Sequence, residues 1–150
     1  MKIVFLDIDG TICTDKSYTA YATQGMMFDW DDLACKFLKT ICEKSNTKIV
    51  ISSSWRVGES NQKDLHKQLQ KYGLEEHLHE DKYTRCFSCN RGEEIQDWLK
   101  RNGHEEYVIL DDREEMLPEQ EPFFIMVDPI EGLTFSDYNK ILEILNVDCY

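Results

Sequence analysis

The amino-acid sequence predicts an α/β domain in which a mostly parallel, doubly wound sheet carries helices on both faces. Short apolar runs rich in β-branched residues alternate with longer segments of helical periodicity, and this alternation is typical of such domains. The runs are apolar at consecutive positions, as expected for strands that helices cover on both sides. Three of them end abruptly in Asp or Ser, which places polar side chains at one edge of the sheet. These features predict a Rossmann-like fold.

Four apolar runs are predicted to form strands, and in chain order they are residues 2–6, 48–51, 107–110 and 123–127. Each of the first three is followed at once by a polar residue that ends the apolar pattern. The segment 75–89 is rich in charged residues and His, and it fits either a loop or a short strand.

Four helices are predicted from apolar residues at three- and four-residue spacing, beginning at Leu33, Leu65, Ile95 and Tyr138. Residues with capping side chains precede three of them, and Gly73 closes the second. The predicted caps are Asp29 for the first helix, Asn90 with Glu93 for the third, and Thr134 with Asp137 for the fourth. Strand and helix therefore alternate along the whole chain.

The composition fits a single domain over residues 1–150, because 41% apolar residues supply a core and 31% charged residues a solvated surface. The net charge of −12, without a run of Lys and Arg, argues against broad binding to a nucleic-acid backbone. No apolar stretch approaches about 18 residues and no signal peptide is visible, so we expect a cytoplasmic protein with no membrane partner. The six cysteines are then expected to stay reduced, and Cys86-x-x-Cys89 lacks a second ligand pair for zinc.

Polar residues follow three of the predicted strands, and they carry the candidate chemistry. Asp7 and Asp9 follow the first strand, the serines at 52–54 follow the second, and Asp111 and Asp112 follow the third. Since the carboxyl ends of neighbouring parallel strands meet at one edge, we expect these side chains to converge. Four carboxylates that close together need a cation, and an all-oxygen set favours Mg²⁺.

Asp7 is placed to attack the phosphorus of a phosphate monoester and to form an aspartyl-phosphate. Asp9 falls on the turn after the strand, where its carboxyl can serve the leaving group and then the attacking water as general acid and base. Gly10 allows a close backbone approach, and Thr11 offers a hydroxyl or orients Asp9. Backbone N–H groups of this turn can hold phosphate oxygens.

The segment Asp7-Ile8-Asp9-Gly10-Thr11 after an apolar strand resembles the first motif of the haloacid dehalogenase-like (HAD) superfamily. The other motifs follow in the order of that superfamily. Ser52 matches the phosphate-binding hydroxyl of the second motif, and Ser53 matches it nearly as well. Arg91 stands where the third motif has Lys or Arg, and the acidic pair at 111–112 matches the fourth.

More narrowly, residues 51–56 (I-S-S-S-W-R), the helix start at 91–95 and Asp128 followed by Gly132-Leu133-Thr134 are similar to small bacterial and phage HAD-like domains, some of them in RNA-repair polyproteins. The resemblance implies that Asp7 and Asp111 bind Mg²⁺ through side chains and Asp9 through its carbonyl, with Asp112 acting directly or through water. The short segment 12–47 leaves no room for a large cap domain. An open site of this kind is associated with large substrates or with closure by oligomerisation.

The function predicted by the residues and the resemblance is Mg²⁺-dependent hydrolysis of phosphate monoesters. One alternative is a phosphatase acting on 3′- or 5′-phosphorylated nucleic-acid ends, and another is a binding domain of the same fold without turnover. Trp55 and Arg56 either contact the substrate, through stacking and phosphate pairing, or pack beside the buried strand. Tyr18 and Tyr21 either form a small flap over the site or pack within their loop.

Overall fold

A computed structural model describes residues 1–23, 29–104 and 106–148. Five parallel strands form one sheet in the order β3-β2-β1-β4-β5. The strands are β1 (Lys2–Leu6), β2 (Thr47–Ile51), β3 (Leu78–Tyr83), β4 (Tyr107–Asp111) and β5 (Phe124–Met126). The helices are α1 (Asp15–Thr23), α2 (Asp32–Ser45), α3 (Glu59–Lys71), α4 (Arg91–Arg101) and α5 (Phe135–Ile144). The predicted α/β class with a parallel sheet is confirmed.

The register of the central strands sets the position of the polar residues. Leu6 at the end of β1 pairs with Ile51 of β2 on one side and with Leu110 of β4 on the other. The next peptide continues the pairing, because the Asp7 N–H donates to the Leu110 carbonyl at 3.0 Å and the Ser52 N–H donates to the Leu6 carbonyl at 3.0 Å. The ends of these three strands therefore meet at one level of the sheet edge.

Helices cover both faces of the sheet, as the apolar strands predicted. On one face, Val4 and Leu6 lie in a core with residues of α2, α3 and α5. On the other face, Ile3 and Phe5 pack with Ile95, Trp98 and Leu99 of α4 and with parts of β2 and β4. Alternate residues of β1 thus serve two cores, and all four side chains are fully buried.

Three elements differ from the expectations drawn from the sequence. The predicted cap Asp29 is wrong, because α2 begins later and Asp31 caps it by accepting a hydrogen bond from the Ala34 N–H at 2.9 Å. Asp29 is instead 4% exposed and accepts from the Tyr72 hydroxyl at 2.5 Å. The ambiguous segment 75–89 contains the edge strand β3, and α1 had no predicted counterpart.

Within the described ranges, no large cap domain is present, and the connection from β1 to β2 contains α1 and α2. The capping side chains predicted for the third and fourth helices are confirmed. Asn90 accepts from the Glu93 N–H at 3.1 Å, and Thr134 and Asp137 bond reciprocally at the start of α5. None of the described helices is both long and apolar enough to cross a bilayer.

Candidate active site

Asp7 lies at the carboxyl end of the central strand and is 5% exposed. Its Oδ1 is 2.8 Å from Nη1 of Arg91, and the same nitrogen lies 2.5 Å from Oδ2 of Asp111. Asp111 has no exposed surface. One guanidinium group thus bridges the carboxylates that end two adjacent strands, which keeps both side chains at a fixed separation.

The electrostatics of this group favour the binding of a further cation. Burial and the nearby negative charge of Asp111 raise the pKa of Asp7 to about 7, although Arg91 acts in the opposite direction. Burial also raises the pKa of Asp111, again against the effect of Arg91. A single guanidinium therefore does not fully compensate the buried carboxylates.

The carboxylates suit a divalent metal ion in both number and chemistry. Asp7, Asp111 and Asp112 each offer an oxygen atom, and these atoms all lie within 4.8 Å of one another. A set of hard oxygen donors at a partly buried site fits Mg²⁺. Asp9 was predicted to bind the metal only through its backbone carbonyl. Its carboxylate is not part of this cluster and is bonded to Trp55.

Asp9 faces the opening of the site and has two side-chain neighbours. Its Oδ2 accepts a hydrogen bond from Nε1 of Trp55 at 2.9 Å. The thiol of Cys13 forms a second hydrogen bond with this carboxylate, and burial together with the Asp9 charge raises the pKa of Cys13 to about 12. The thiol thus remains protonated as a donor, and Asp9 is oriented on two sides.

The turn after β1 is tightly wound around one carbonyl group. The Ile8 carbonyl accepts from the N–H groups of Thr11, Ile12 and Cys13 at 3.0–3.1 Å, and the Gly10 N–H donates to the Cys13 carbonyl at 2.7 Å. Gly10 has a φ of +82°, and a β-carbon there would lie 2.4 Å from Oδ2 of Asp112. The close approach predicted for Gly10 is therefore toward a carboxylate of the acidic cluster.

Substituting Gly10 by Ala is expected to lower the free energy of unfolding by about 1–2 kcal/mol from backbone strain alone. Displacement of Asp112 should add a loss of metal affinity and of activity. Melting temperature and metal titration would measure the two effects. Gly58→Ala is a matched control, because Gly58 has a φ of +86° but nothing within 4 Å of the added carbon. Equal metal affinity in both variants would contradict the predicted contact.

Two serines that the sequence left as alternatives have different surroundings. Among the described residues, the fully buried hydroxyl of Ser52 has no hydrogen-bond partner. The Ser53 hydroxyl accepts from the Trp55 N–H at 3.3 Å and caps the short 3₁₀ helix Ser54–Arg56. The buried hydroxyl of Thr11 likewise lacks a partner in the described part of the chain. Buried polar groups are rarely left unpaired, so the hydroxyls of Ser52 and Thr11 have unused hydrogen-bonding capacity.

Ser52→Ala is expected to reduce the catalytic efficiency for phosphate esters about 10- to 100-fold with little change in stability, because it removes a hydroxyl without an internal partner. Ser53→Ala should instead cost about 1 kcal/mol of stability through the lost cap, with a smaller effect on activity. Steady-state kinetics and urea unfolding of both variants separate these roles. A larger loss of activity in Ser53→Ala would reverse the assignment.

Arg91 is positioned by a contact between α4 and the loop after β4. The Gly92 N–H donates to the Glu115 carbonyl at 2.9 Å, and the fully buried Gln120 side chain donates to the Gly92 carbonyl at 2.9 Å. A β-carbon at Gly92 would lie 2.6 Å from the backbone nitrogen of Leu117. The first turn of α4 is thereby held against this loop, and Arg91 extends from it toward the acidic pair.

Arg56 does not lie where the predicted phosphate contact requires it. Its Nε donates to the Thr84 carbonyl at 2.9 Å, and its Nη1 donates to the carbonyls of Ser52 and Ser53 at 2.8 and 2.6 Å. Its Nη2 forms a 2.7 Å ion pair with Glu94, and both side chains are 5% exposed. Burial and four internal hydrogen bonds make Arg56 a structural residue, so its prediction as a phosphate ligand is wrong.

A cleft of about 420 Å³ opens over these residues. It reaches the predicted Asp7, Asp9, Gly10, Arg91 and Asp112, and sequence reasoning missed several of its other lining residues. The missed ones are Cys13, Thr14, Asp15, Arg113 and Pro129, whereas Ser54 belongs to the serine segment that was expected at this edge. Arg113 and Pro129 carried only a signal of position, because they follow the ends of predicted strands by three and two residues.

The cleft also includes Tyr18, whose residue surface is 57% exposed. This position agrees with the idea of a small flap, but the side chain of Tyr21 lies outside the described residues. Arg113, two residues after Asp111, is an exposed residue that also lines the cleft.

Comparison with known families identifies one match. The family described as the HAD domain in Swiss Army Knife RNA repair proteins matches residues 3–138. This range runs from β1 into α5 and contains every residue of the cleft. No curated protein and no solved structure gives a significant match to the chain.

Proposed function

The chain belongs to the family of HAD domains found in Swiss Army Knife RNA repair proteins, and on that premise we propose that it is a Mg²⁺-dependent phosphatase acting on phosphate monoesters. Phosphatase-type chemistry is general to this family. The dependence on Mg²⁺ and the choice of phosphate monoesters as substrates are parts of the proposal. The main support is the buried Asp7 carboxylate, which ends the central strand beside Arg91 and Asp111.

In the first proposed step, an oxygen of Asp7 attacks phosphorus while the bond between phosphorus and the ester oxygen breaks. The product is an aspartyl-phosphate, and Asp9 gives its proton to the departing oxygen. In the second step water attacks the same phosphorus, Asp9 takes a proton from that water, and phosphate leaves as Asp7 is released. The exposed position of Asp9 and its bond to Trp55 suit these two transfers.

Several groups of the chain are available to hold the transferred phosphoryl group. The unpaired Ser52 hydroxyl and the Arg91 guanidinium lie at the two strand ends that flank Asp7. Mg²⁺ held by Asp7, Asp111, Asp112 and the Asp9 carbonyl supplies positive charge that offsets the charge of the phosphoryl oxygens. Arg91 additionally offsets part of the repulsion between the carboxylates of Asp7 and Asp111.

Release of phosphate from an aryl phosphate tests the proposal most directly. We expect turnover with millimolar Mg²⁺ and its loss with EDTA, restored by adding Mg²⁺ in excess. Metal-independent turnover would contradict the assigned cofactor. Binding of Mg²⁺ without hydrolysis of any phosphoester would favour the alternative, a HAD-fold binding domain without turnover. The presence of Asp7, Asp9 and Asp111 argues against that alternative.

A second candidate function is the removal of phosphate from 3′- or 5′-phosphorylated nucleic-acid ends. The description of the matched family, which places its members in RNA repair proteins, favours this candidate. The net charge of −12 opposes it. A catalytic efficiency for phosphorylated oligonucleotides far above that for aryl phosphates would support this candidate, and equal efficiencies would count against it.

The stabilisation of the protein by Mg²⁺ is expected to increase between pH 6 and pH 8. Burial raises the folded-state pKa of Asp7 from 3.8 to about 7. Protonation of Asp7 therefore stabilises the folded protein, and this stabilisation is lost as the pH rises to about 7. Mg²⁺ binds the carboxylate form, so protons compete with it at pH 6. Melting temperatures with and without Mg²⁺ measure the difference, which Asp7→Asn should diminish. Equal shifts at both pH values would contradict this linkage.

A further inference from the structure

A second cavity begins at Asp9 and extends away from the metal-binding carboxylates. It measures about 430 Å³ and is lined by Asp9, Ser54, Trp55, Asn61 and Asp64. Asp9 and Ser54 also line the cleft that contains Asp7, so the two spaces adjoin at the proposed acid/base residue. Asn61 and Asp64 come from the first two turns of α3, which follows the 3₁₀ helix Ser54–Arg56.

The position of Asp9 relates this cavity to the reaction. A general acid must lie within hydrogen-bond reach of the oxygen that it protonates, so the departing alcohol has to contact Asp9. The phosphorus must at the same time lie next to Asp7. An ester bound in this way places its phosphoryl group in the cleft that contains Asp7 and directs its alcohol portion toward the second cavity.

Trp55 gives this cavity a fixed aromatic wall. Its Nε1 is bonded to Asp9, and its ring packs edge-on against Trp30 with centroids 5.8 Å apart. Trp30 in turn stacks on Tyr72 at 5.9 Å with an interplanar angle of 10°. This aromatic series holds the Trp55 ring in place, so the ring can pack against a flat apolar group without losing rotamer freedom.

The charges that line the cavity have one sign. Asp9 and the exposed Asp64 are carboxylates, and none of the five lining residues is Lys or Arg. Lys63 lies on the same helix but is not among the residues that line the cavity. An anionic alcohol portion would meet two negative charges here, whereas an uncharged or cationic one would not.

We propose that the second cavity is the leaving-group subsite and that it selects phosphate esters of uncharged or cationic alcohols with a flat ring, against esters of anionic alcohols. This inference rests on the proposed phosphatase function and specifies the substrate class of that same site. Trp55 supplies the surface for the ring, and Asp64 supplies the charge discrimination.

Two esters that differ in one charge provide the test, namely phenyl phosphate and 3-carboxyphenyl phosphate. The ratio of their kcat/KM values is measured for the wild type, Asp64→Asn and Asp64→Lys, so that differences in intrinsic reactivity cancel between enzymes. We expect the preference for the neutral ester to fall about threefold to tenfold in Asp64→Asn, and further in Asp64→Lys. Both variants change an exposed residue and should fold.

Glu143→Gln is the matched control, because it removes the same charge from an exposed position near the end of α5. Its ratio should equal that of the wild type. A ratio unchanged in both Asp64 variants would overturn the subsite assignment while the phosphatase function stands. An equal change in Glu143→Gln would also overturn it, because the effect would then come from net charge. Absence of turnover of both esters by the wild type would instead overturn the proposed function, and the subsite with it.

Discussion

Replacing Asp7 by Asn is expected to reduce phosphate release at least about a thousandfold, because the amide cannot attack phosphorus as the carboxylate does. The substitution keeps the size of the side chain. It also removes a buried carboxylate, and the raised pKa shows that the folded state already favours the protonated, uncharged carboxyl group. The folded state should therefore be as stable as the wild type, or more stable at pH 8. Steady-state kinetics with an aryl phosphate and thermal melting measure the two quantities on the same preparation.

Asp15→Asn is a suitable control for this experiment. Asp15 lines the same cleft, but it is exposed and begins α1 instead of ending a strand. Its substitution removes the same charge from the cleft and should reduce activity only slightly. Comparable losses in both variants would show that the negative charge of the cleft matters more than a nucleophile at position 7, and the aspartyl-phosphate mechanism would be rejected.

Arg56→Met is expected to give the largest loss of stability, about 3–5 kcal/mol, because it leaves Glu94 buried without its cationic partner. Three backbone carbonyls also lose their donor, namely those of Ser52, Ser53 and Thr84. Urea unfolding followed by circular dichroism measures the change. Adding Glu94→Leu should recover part of the loss, because the buried charge is then removed.

Arg101→Met serves as the comparison, since Arg101 pairs with Asp81 and Asp97 at the surface with 24% of its side chain exposed. Pairs of this kind contribute at most about 1 kcal/mol. If Arg56→Met costs no more than Arg101→Met, the network around Arg56 does not have the structural role assigned to it. A loss of activity without any loss of stability would restore the substrate contact predicted from the sequence.

The sequence was sufficient for the central part of the fold, because the determining signals there are local. Continuous apolar runs ended by Asp7 and Asp111 define both the strands and the edge at which polar residues gather. The pairing of Leu6 with Ile51 and Leu110 then brings Ser52 to the same edge, as parallel neighbours require. The catalytic and metal-binding roles of these residues remain predictions.

The features that the sequence did not predict depend on contacts between distant segments. Arg56 and Glu94 are 38 positions apart, and a serine-rich segment ending in Arg gave no indication that the guanidinium turns inward. The helix α1 lacks a clear apolar periodicity, so its polar sequence looked like a loop. Asp29 and Asp31 are equally good cap residues by type, and what separates them is that Asp29 is bound by the Tyr72 hydroxyl and the Lys71 ammonium group.

The Arg56–Glu94 network has a consequence for how this catalyst can adapt. It joins the end of β2 to the first turns of α4, and Glu94 also accepts from the N–H groups of Phe87 and Ser88 at 3.1 and 3.2 Å. Ser52 and Arg91, from these two segments, are therefore held as one unit, and under the proposed function little reorganisation energy would accompany phosphoryl transfer. Divergence in substrate preference is consequently expected on the walls formed by α1 and the start of α3, where side chains can be exchanged without disturbing the unit that holds Ser52 and Arg91.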